Sequence, residues 1–258
     1  MCNILYKNQD QKMPSEKILR SMWRKNPDGA GVMWKVKGSR FVGYQKGFMS
    51  LEELMEWLGR CHFNEVACEV AIHMRIATHG GISEGNTHPF PVDAKANPHK
   101  LRDERCTHVL MHNGVLPIAP RKENWSDSAE LAHRAAEVNP EDPMKFFWAV
   151  DEFVRNNRIV VFGPEGARFF GDNWKEGGGG YLYANLNHEY SEFFSHGFTS
   201  GNWRQWYAKQ NVGVCQLCGE RDVILYEEKL DNEKLEVCAH CATDIRSGMY
   251  DLPTEEKK

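Results

Sequence analysis

Two C-x-x-C pairs, Cys215/Cys218 and Cys238/Cys241, stand 19 residues apart near the C-terminus. Four thiolates at this spacing suit tetrahedral Zn²⁺ and close its coordination shell, so the expected metal is structural. Chance pairs or a redox dithiol are the alternatives. Gly219 fits the tight turn after the first pair, and Val223–Tyr226 and Lys234–Val237 can form short strands between the pairs. A segment of about 35 residues cannot build a sufficient core alone, so metal binding should drive its folding. The chain is therefore expected to hold a small zinc-ribbon-like module at 213–246, a tail at 247–258 that frays, and a larger N-terminal domain with its own core.

The 258 residues correspond to about one to two domains. With 41% apolar and 26% charged residues, the composition is globular rather than disordered or collagen-like. A formal charge of −4 gives no global attraction to nucleic acid or an anionic membrane. From Val212 to Lys258, 6 basic residues face 11 acidic ones, the wrong sign for binding phosphate. No direct nucleic-acid binding is expected; the module suits protein contact, or a structural cap. No apolar run approaches a membrane-spanning length, and Met1–Lys7 lacks the basic and apolar regions of a secretory signal. A cytoplasmic protein is the expectation. Cys61, Cys68 and Cys106 read as small buried hydrophobes.

Hydrophobic periodicity gives a mixed chain. Ser15–Lys25 places Ile18, Leu19, Met22 and Trp23 on one helical face and ends before Pro27. Ser50 and Glu53 form a capping box ahead of Leu51, Leu54, Met55 and Leu58. Further helices are expected from Ser126 to about Glu137 and from about Asp142 to Arg155. Val32–Val36, Phe41–Gln45, Val66–Met74, Thr107–Met111, Arg158–Phe162, Ala167–Phe170 and Tyr181–Ala184 read as strands. Strands do not alternate strictly with helices, which disfavours a doubly wound parallel sheet. An α+β layered sandwich with helices outside fits better.

Cys2 is the candidate nucleophile, although a cysteine can stand at position 2 by chance. Once Met1 is removed, its thiol and a free α-amine share one residue. An α-amine titrates near pH ~8 and can serve as a base beside the nucleophile. Four later segments join it: Asn26-Pro27-Asp28-Gly29-Ala30-Gly31; His73-Met74-Arg75-Ile76-Ala77-Thr78-His79-Gly80 with Asn86-Thr87-His88-Pro89-Phe90; His112-Asn113-Gly114; and Ser126-Asp127-Ser128. Singly, each is ordinary turn or cap chemistry. In this order they resemble the class II glutamine amidotransferases, N-terminal nucleophile hydrolases that release ammonia from the glutamine side chain.

The resemblance implies a four-layer αββα sandwich over residues 2–194, with 195–212 as a linker to the zinc module. It implies L-glutamine as substrate and no organic cofactor. Glutamine presents a carboxylate suited to the planar fork of Arg75 and an ammonium suited to Asp127. Thr78 is implied as a second carboxylate ligand. Asn113 and the backbone N–H of Gly114 are the expected donors to the oxyanion. Asn26, Asp28, Gly29, His79 and His112 are expected to support the site. Ile76 stands where an aromatic residue is frequent in the family, and no ammonia-consuming domain is recognised. The resemblance leaves open a separate ammonia-accepting enzyme, or a free-standing hydrolase of γ-glutamyl amides. A non-catalytic zinc adaptor is the remaining alternative.

Overall fold

The computed structural model describes residues 2–77, 81–151, 156–188, 212–213, 215–216, 223–230 and 233–238. The chain divides into two compact units: Met1–Glu176 with Tyr181–Glu189, and Gly177–Gly180 with Tyr190–Lys258. No helix among the described residues is long and apolar enough to cross a membrane.

In chain order the first unit contains β1 (Asn3–Lys7), α1 (Glu16–Lys25), β2 (Ala30–Val36), β3 (Val42–Phe48), α2 (Leu51–Arg60) and β4 (Cys68–Met74). There follow β5 (Phe90–Pro91), β6 (Arg102–Cys106), β7 (Val109–Asn113), α3 (Asp127–Val138), α4 (Met144–Val150), β8 (Arg158–Gly163), β9 (Gly166–Phe170), β10 (Lys175–Glu176) and β11 (Leu182–Tyr183). These strands make two antiparallel sheets. One is seven-stranded, in the order β10-β11-β1-β4-β2-β3-β6; the other is four-stranded, in the order β5-β7-β8-β9. The fold is α+β, as the mixed periodicity implied.

Local chemistry explains the helices. The Ser15 hydroxyl accepts the Ile18 N–H and opens α1. Ser50 and Glu53 complete the reciprocal capping box of α2. Asp127 and Glu130 place negative charge in the first turn of α3, where the helix dipole favours it. The helix expected from about Asp142 to Arg155 is present over Met144–Val150, and 152–155 lie outside the described residues.

Three apolar clusters organise the unit. Leu5, Val32, Val70 and Ile72 meet Leu19 and Met22 of α1 and Leu54 of α2. Ile4, Met33 and Ala71 of the larger sheet meet Val109, Met111, Val160 and Phe162 of the smaller one. Leu110, Ile159 and Val161 meet Ala132 and Ala135 of α3 and Phe147 of α4. Strands such as β1 and β8 bury both faces, since alternate side chains enter different clusters. Cys68 is buried, whereas Cys61 and Cys106 are half-buried: one caps the end of α2 and the other ends the edge strand β6.

In the second unit, β12 (Val212–Gly213), β13 (Val223–Leu230) and β14 (Glu233–Cys238) form an antiparallel sheet in that order. The Gln216 N–H donates to Glu236 O at 3.0 Å, and the Glu236 N–H donates back to Gln216 Oε1 at 2.6 Å. The strands expected between the cysteine pairs are therefore present and paired.

Candidate functional site

The register of one strand pair sets the site. Asn3 of β1 pairs with Met74 of β4, so Cys2 lies level with the residues that follow β4. Its Sγ meets both the N–H and the carbonyl of Ile76, each at 3.4 Å. Burial raises the Cys2 thiol pKa, while the Ile76 hydrogen bond and the Arg75 charge pull it down. The resting group is thus a protonated thiol near neutral pH. Asn185 donates from Nδ2 to the Cys2 carbonyl at 2.5 Å, tying down the residue that precedes the sheet.

Arg75 is 3% exposed. Its main chain is clamped by the turn before β2: the Arg75 N–H donates to Gly29 O at 2.8 Å, and its carbonyl accepts from Asp28 N–H at 3.0 Å. The Asp28 carboxylate accepts the Ala77 N–H at 2.9 Å. Gly29 has φ +115°, and a Cβ there would lie 2.5 Å from Thr87 Cγ2, so a side chain is excluded. The Arg75 guanidinium donates to Gly81 O at 2.7 Å. Burial lowers its pKa, whereas charges on Cys2, Asp28 and Asp127 raise it. The Arg75 guanidinium is therefore within electrostatic reach of the Cys2 thiol and of the Asp28 and Asp127 carboxylates.

Asn113 ends β7 and Gly114 follows it. Asn113 is fully buried, and among the described residues neither its Oδ1 nor its Nδ2 has a hydrogen-bond partner. A buried carboxamide left unpaired is costly in a native fold. Gly114 has φ +149°, and a Cβ there would lie 1.9 Å from Asn157 Oδ1. Asp127 begins α3, where its Oδ2 accepts the Leu116 N–H at 3.0 Å and its Oδ1 accepts the Ser128 N–H at 2.8 Å.

Buried histidines stand behind these groups. His112 contacts Ser128 Oγ through Nδ1 and Asn157 Oδ1 through Nε2, both at 2.8 Å. His73 donates from Nε2 to His112 O at 3.2 Å and stacks on His88 with ring centroids 4.0 Å apart. Burial is the main cause that lowers the pKa of all three, to about 3 for His73. They are neutral polar packing at pH 7.

The expected residues thus divide. Cys2, Asp28 and Asp127 are each within electrostatic reach of Arg75. His112, Asn113 and Gly114 connect to Asp127 through Ser128 and Leu116. Asn26 serves the fold: it ends α1, with its N–H on Met22 and Trp23 carbonyls and its side chain on Met22 O. Thr78 and His79 lie outside the described residues. Asn157 and Asn185 are not singled out by the sequence, because an isolated asparagine carries no local pattern.

For the zinc set, Cys215 is buried and Cys238 closes β14. The hydrogen bonds of Gln216 bring the backbone beside Cys215 to β14, two residues before Cys238. That placement and the thiol donor chemistry suit the group. Cys218 and Cys241 lie outside the described residues. Among the described residues, no group of three or more His, Cys, Asp or Glu side chains is placed to hold a metal. No family model matches the chain, and no curated protein matches it.

Proposed function

We propose that the chain is a glutamine-hydrolysing enzyme of the class II amidotransferase type, with Cys2 as an N-terminal nucleophile. The observation that carries this reading is the Cys2 thiol seated on the Ile76 peptide at 3.4 Å, next to the buried Arg75, whose guanidinium is within electrostatic reach of Asp127. A cation and an anion beside a nucleophile suit the carboxylate and ammonium of a free amino acid. The unpaired Asn113 carboxamide supports an oxyanion role. The three successive apolar clusters support the four-layer αββα N-terminal nucleophile architecture.

The chemistry follows from these roles. With Met1 removed, the Cys2 amine takes the thiol proton. The thiolate adds to the glutamine side-chain carbonyl carbon, and the new oxyanion is held by Asn113 Nδ2 and the Gly114 N–H. The C–N bond breaks as the ammonium returns its proton to the leaving nitrogen, releasing ammonia and leaving a γ-glutamyl thioester. Water, deprotonated by the same amine, cleaves the thioester. Glutamate leaves and the thiol is restored. Ammonia goes to a separate acceptor enzyme, reached by protein contact in the cytoplasm. The second unit contributes a structural Zn²⁺ site built from Cys215, Cys218, Cys238 and Cys241, which would supply folding energy rather than chemistry.

The test is glutamate release from L-glutamine by the wild type and by Cys2→Ala, with γ-glutamyl amides as competing substrates. Turnover of glutamine that depends on Cys2 supports the reading. Turnover of γ-glutamyl amides alone would reassign the enzyme to their hydrolysis, and an unchanged rate in Cys2→Ala would remove Cys2 from the mechanism.

A further inference from the structure

A closed hydrogen-bonded ring surrounds the turn after β7. From His112 the main chain runs through Asn113 and Gly114 to Leu116, whose N–H donates to Asp127 Oδ2 at 3.0 Å. Asp127 Oδ1 accepts the N–H of Ser128 at 2.8 Å. The Ser128 hydroxyl stands 2.8 Å from His112 Nδ1 and 3.3 Å from Asp127 Oδ1, so its proton goes to the nearer nitrogen. This returns the path to His112. Outside the ring, Asn157 presents its oxygen to His112 Nε2 at 2.8 Å, which places the ring proton on Nε2 and leaves Nδ1 as acceptor.

Asn157 also touches the turn directly. Its oxygen occupies the space a Gly114 Cβ would fill, and its neighbour Arg158 pairs with Asn113 across β7 and β8. The side chains of His112, Ser128 and Asn157 are all buried, so no water competes for these bonds. The ring therefore joins two groups with different roles, the turn that presents Asn113 and Gly114 and the carboxylate at the start of α3.

We propose that Ser128 and Asn157 are positioning residues that hold His112 in one orientation and so keep the oxyanion turn in register with Asp127. The proposal rests on the glutamine-hydrolysis reading. Neither residue touches substrate. Each acts through His112 on a donor that matters only once negative charge develops on the attacked oxygen. Loss of either should therefore lower kcat more than it raises KM.

The experiment is steady-state glutamate release by the wild type, Ser128→Ala, Asn157→Leu, Asn157→Asp, Asn113→Ala and the double variant N113A/N157L. Ser128→Ala and Asn157→Leu should each lower kcat about tenfold with KM within about threefold, the scale expected of a misplaced catalytic group. Asn157→Asp keeps an acceptor for His112 Nε2–H and should recover most of that loss. The double variant should be no slower than Asn113→Ala, since Asn157 works through the turn that Asn113 completes. Independent, multiplying losses would refute the coupling, as would wild-type kcat in both Ser128→Ala and Asn157→Leu. If Asn157→Leu does not fold, Ser128→Ala decides alone, because it removes only a hydroxyl from a helical position. A wild type that releases no glutamate defeats the underlying reading and this proposal with it; an active wild type with unaffected variants defeats the proposal alone.

Discussion

Asn185 holds the carbonyl of Cys2 through a 2.5 Å hydrogen bond, although the two residues are 183 positions apart. Sheet pairing begins only at Asn3, so this bond restrains the peptide group of Cys2, the proposed nucleophile. Asn185→Ala should lower kcat about tenfold by loosening the thiol, with little effect on unfolding. Steady-state kinetics beside thermal melts check this. A variant as fast as the wild type would show that sheet pairing suffices.

Arg75 and Asp127 should separate by kinetic signature. Arg75→Lys keeps a charge but loses the planar fork, so KM for glutamine should rise at least about tenfold. Asp127→Asn removes the charge and leaves one oxygen for the Leu116 and Ser128 N–H groups, which bond separate carboxylate oxygens, so it should raise KM and also lower kcat through the turn after β7. An unchanged KM in both would mean that the amino-acid head binds elsewhere.

Gly114→Ala should fail on geometry. Its Cβ would overlap Asn157 Oδ1 in a buried site, and the positive φ disfavours any side chain. A loss of about 1–3 kcal/mol is expected, with glutamine hydrolysis abolished. Urea unfolding measures the first and glutamate release the second. Tolerance in both would argue against a close approach of Asn157.

Stability should fall in mild acid. His73 and His188 have folded pKa values lowered by burial from 6.5 to about 3 and about 4. At His188 the bond from Asn3 Nδ2 also requires a bare Nδ1, so a proton there would face a donor. Between these values and pH 6.5 the unfolded chain binds more protons than the fold, so stability is complete above pH 6.5 and declines below it. Each ring should cost about 2 kcal/mol at pH 5. Urea unfolding at pH 7 and pH 5 tests this, and His188→Asn should reduce the difference. Equal stability at both pH values would contradict the neutral assignment.

Zinc should be found at about one ion per chain by elemental analysis, as four thiolates per site imply. Cys215→Ser and Cys238→Ser should each lower that content sharply. Less than about a tenth of an ion per wild-type chain would end the zinc assignment.

The helices are legible in the sequence because their signals are local. Ser15, Ser50 and Glu53 announce helix starts within four residues of the groups they cap. β6 escapes the pattern because Arg102-Asp103-Glu104-Arg105-Cys106 is almost without apolar residues; it lies at the edge of the larger sheet with much of its surface in solvent. The candidate site is readable where short motifs hold several functional groups together, as around Arg75 and Asn113. Asn157 and Asn185 enter it only through tertiary structure, from strands and loops far along the chain. No periodicity or spacing marks such residues.

The pairing of Asn3 with Met74 has a practical consequence for anyone producing this protein. One residue inserted between Cys2 and Asn3 would move the sulfur about 3.3 Å along the chain, off its seat on the Ile76 peptide. An uncleaved affinity tag at the amino end would leave the thiol in place yet bury its nitrogen in an amide. Under the proposed mechanism, purification handles belong at the other end of the chain.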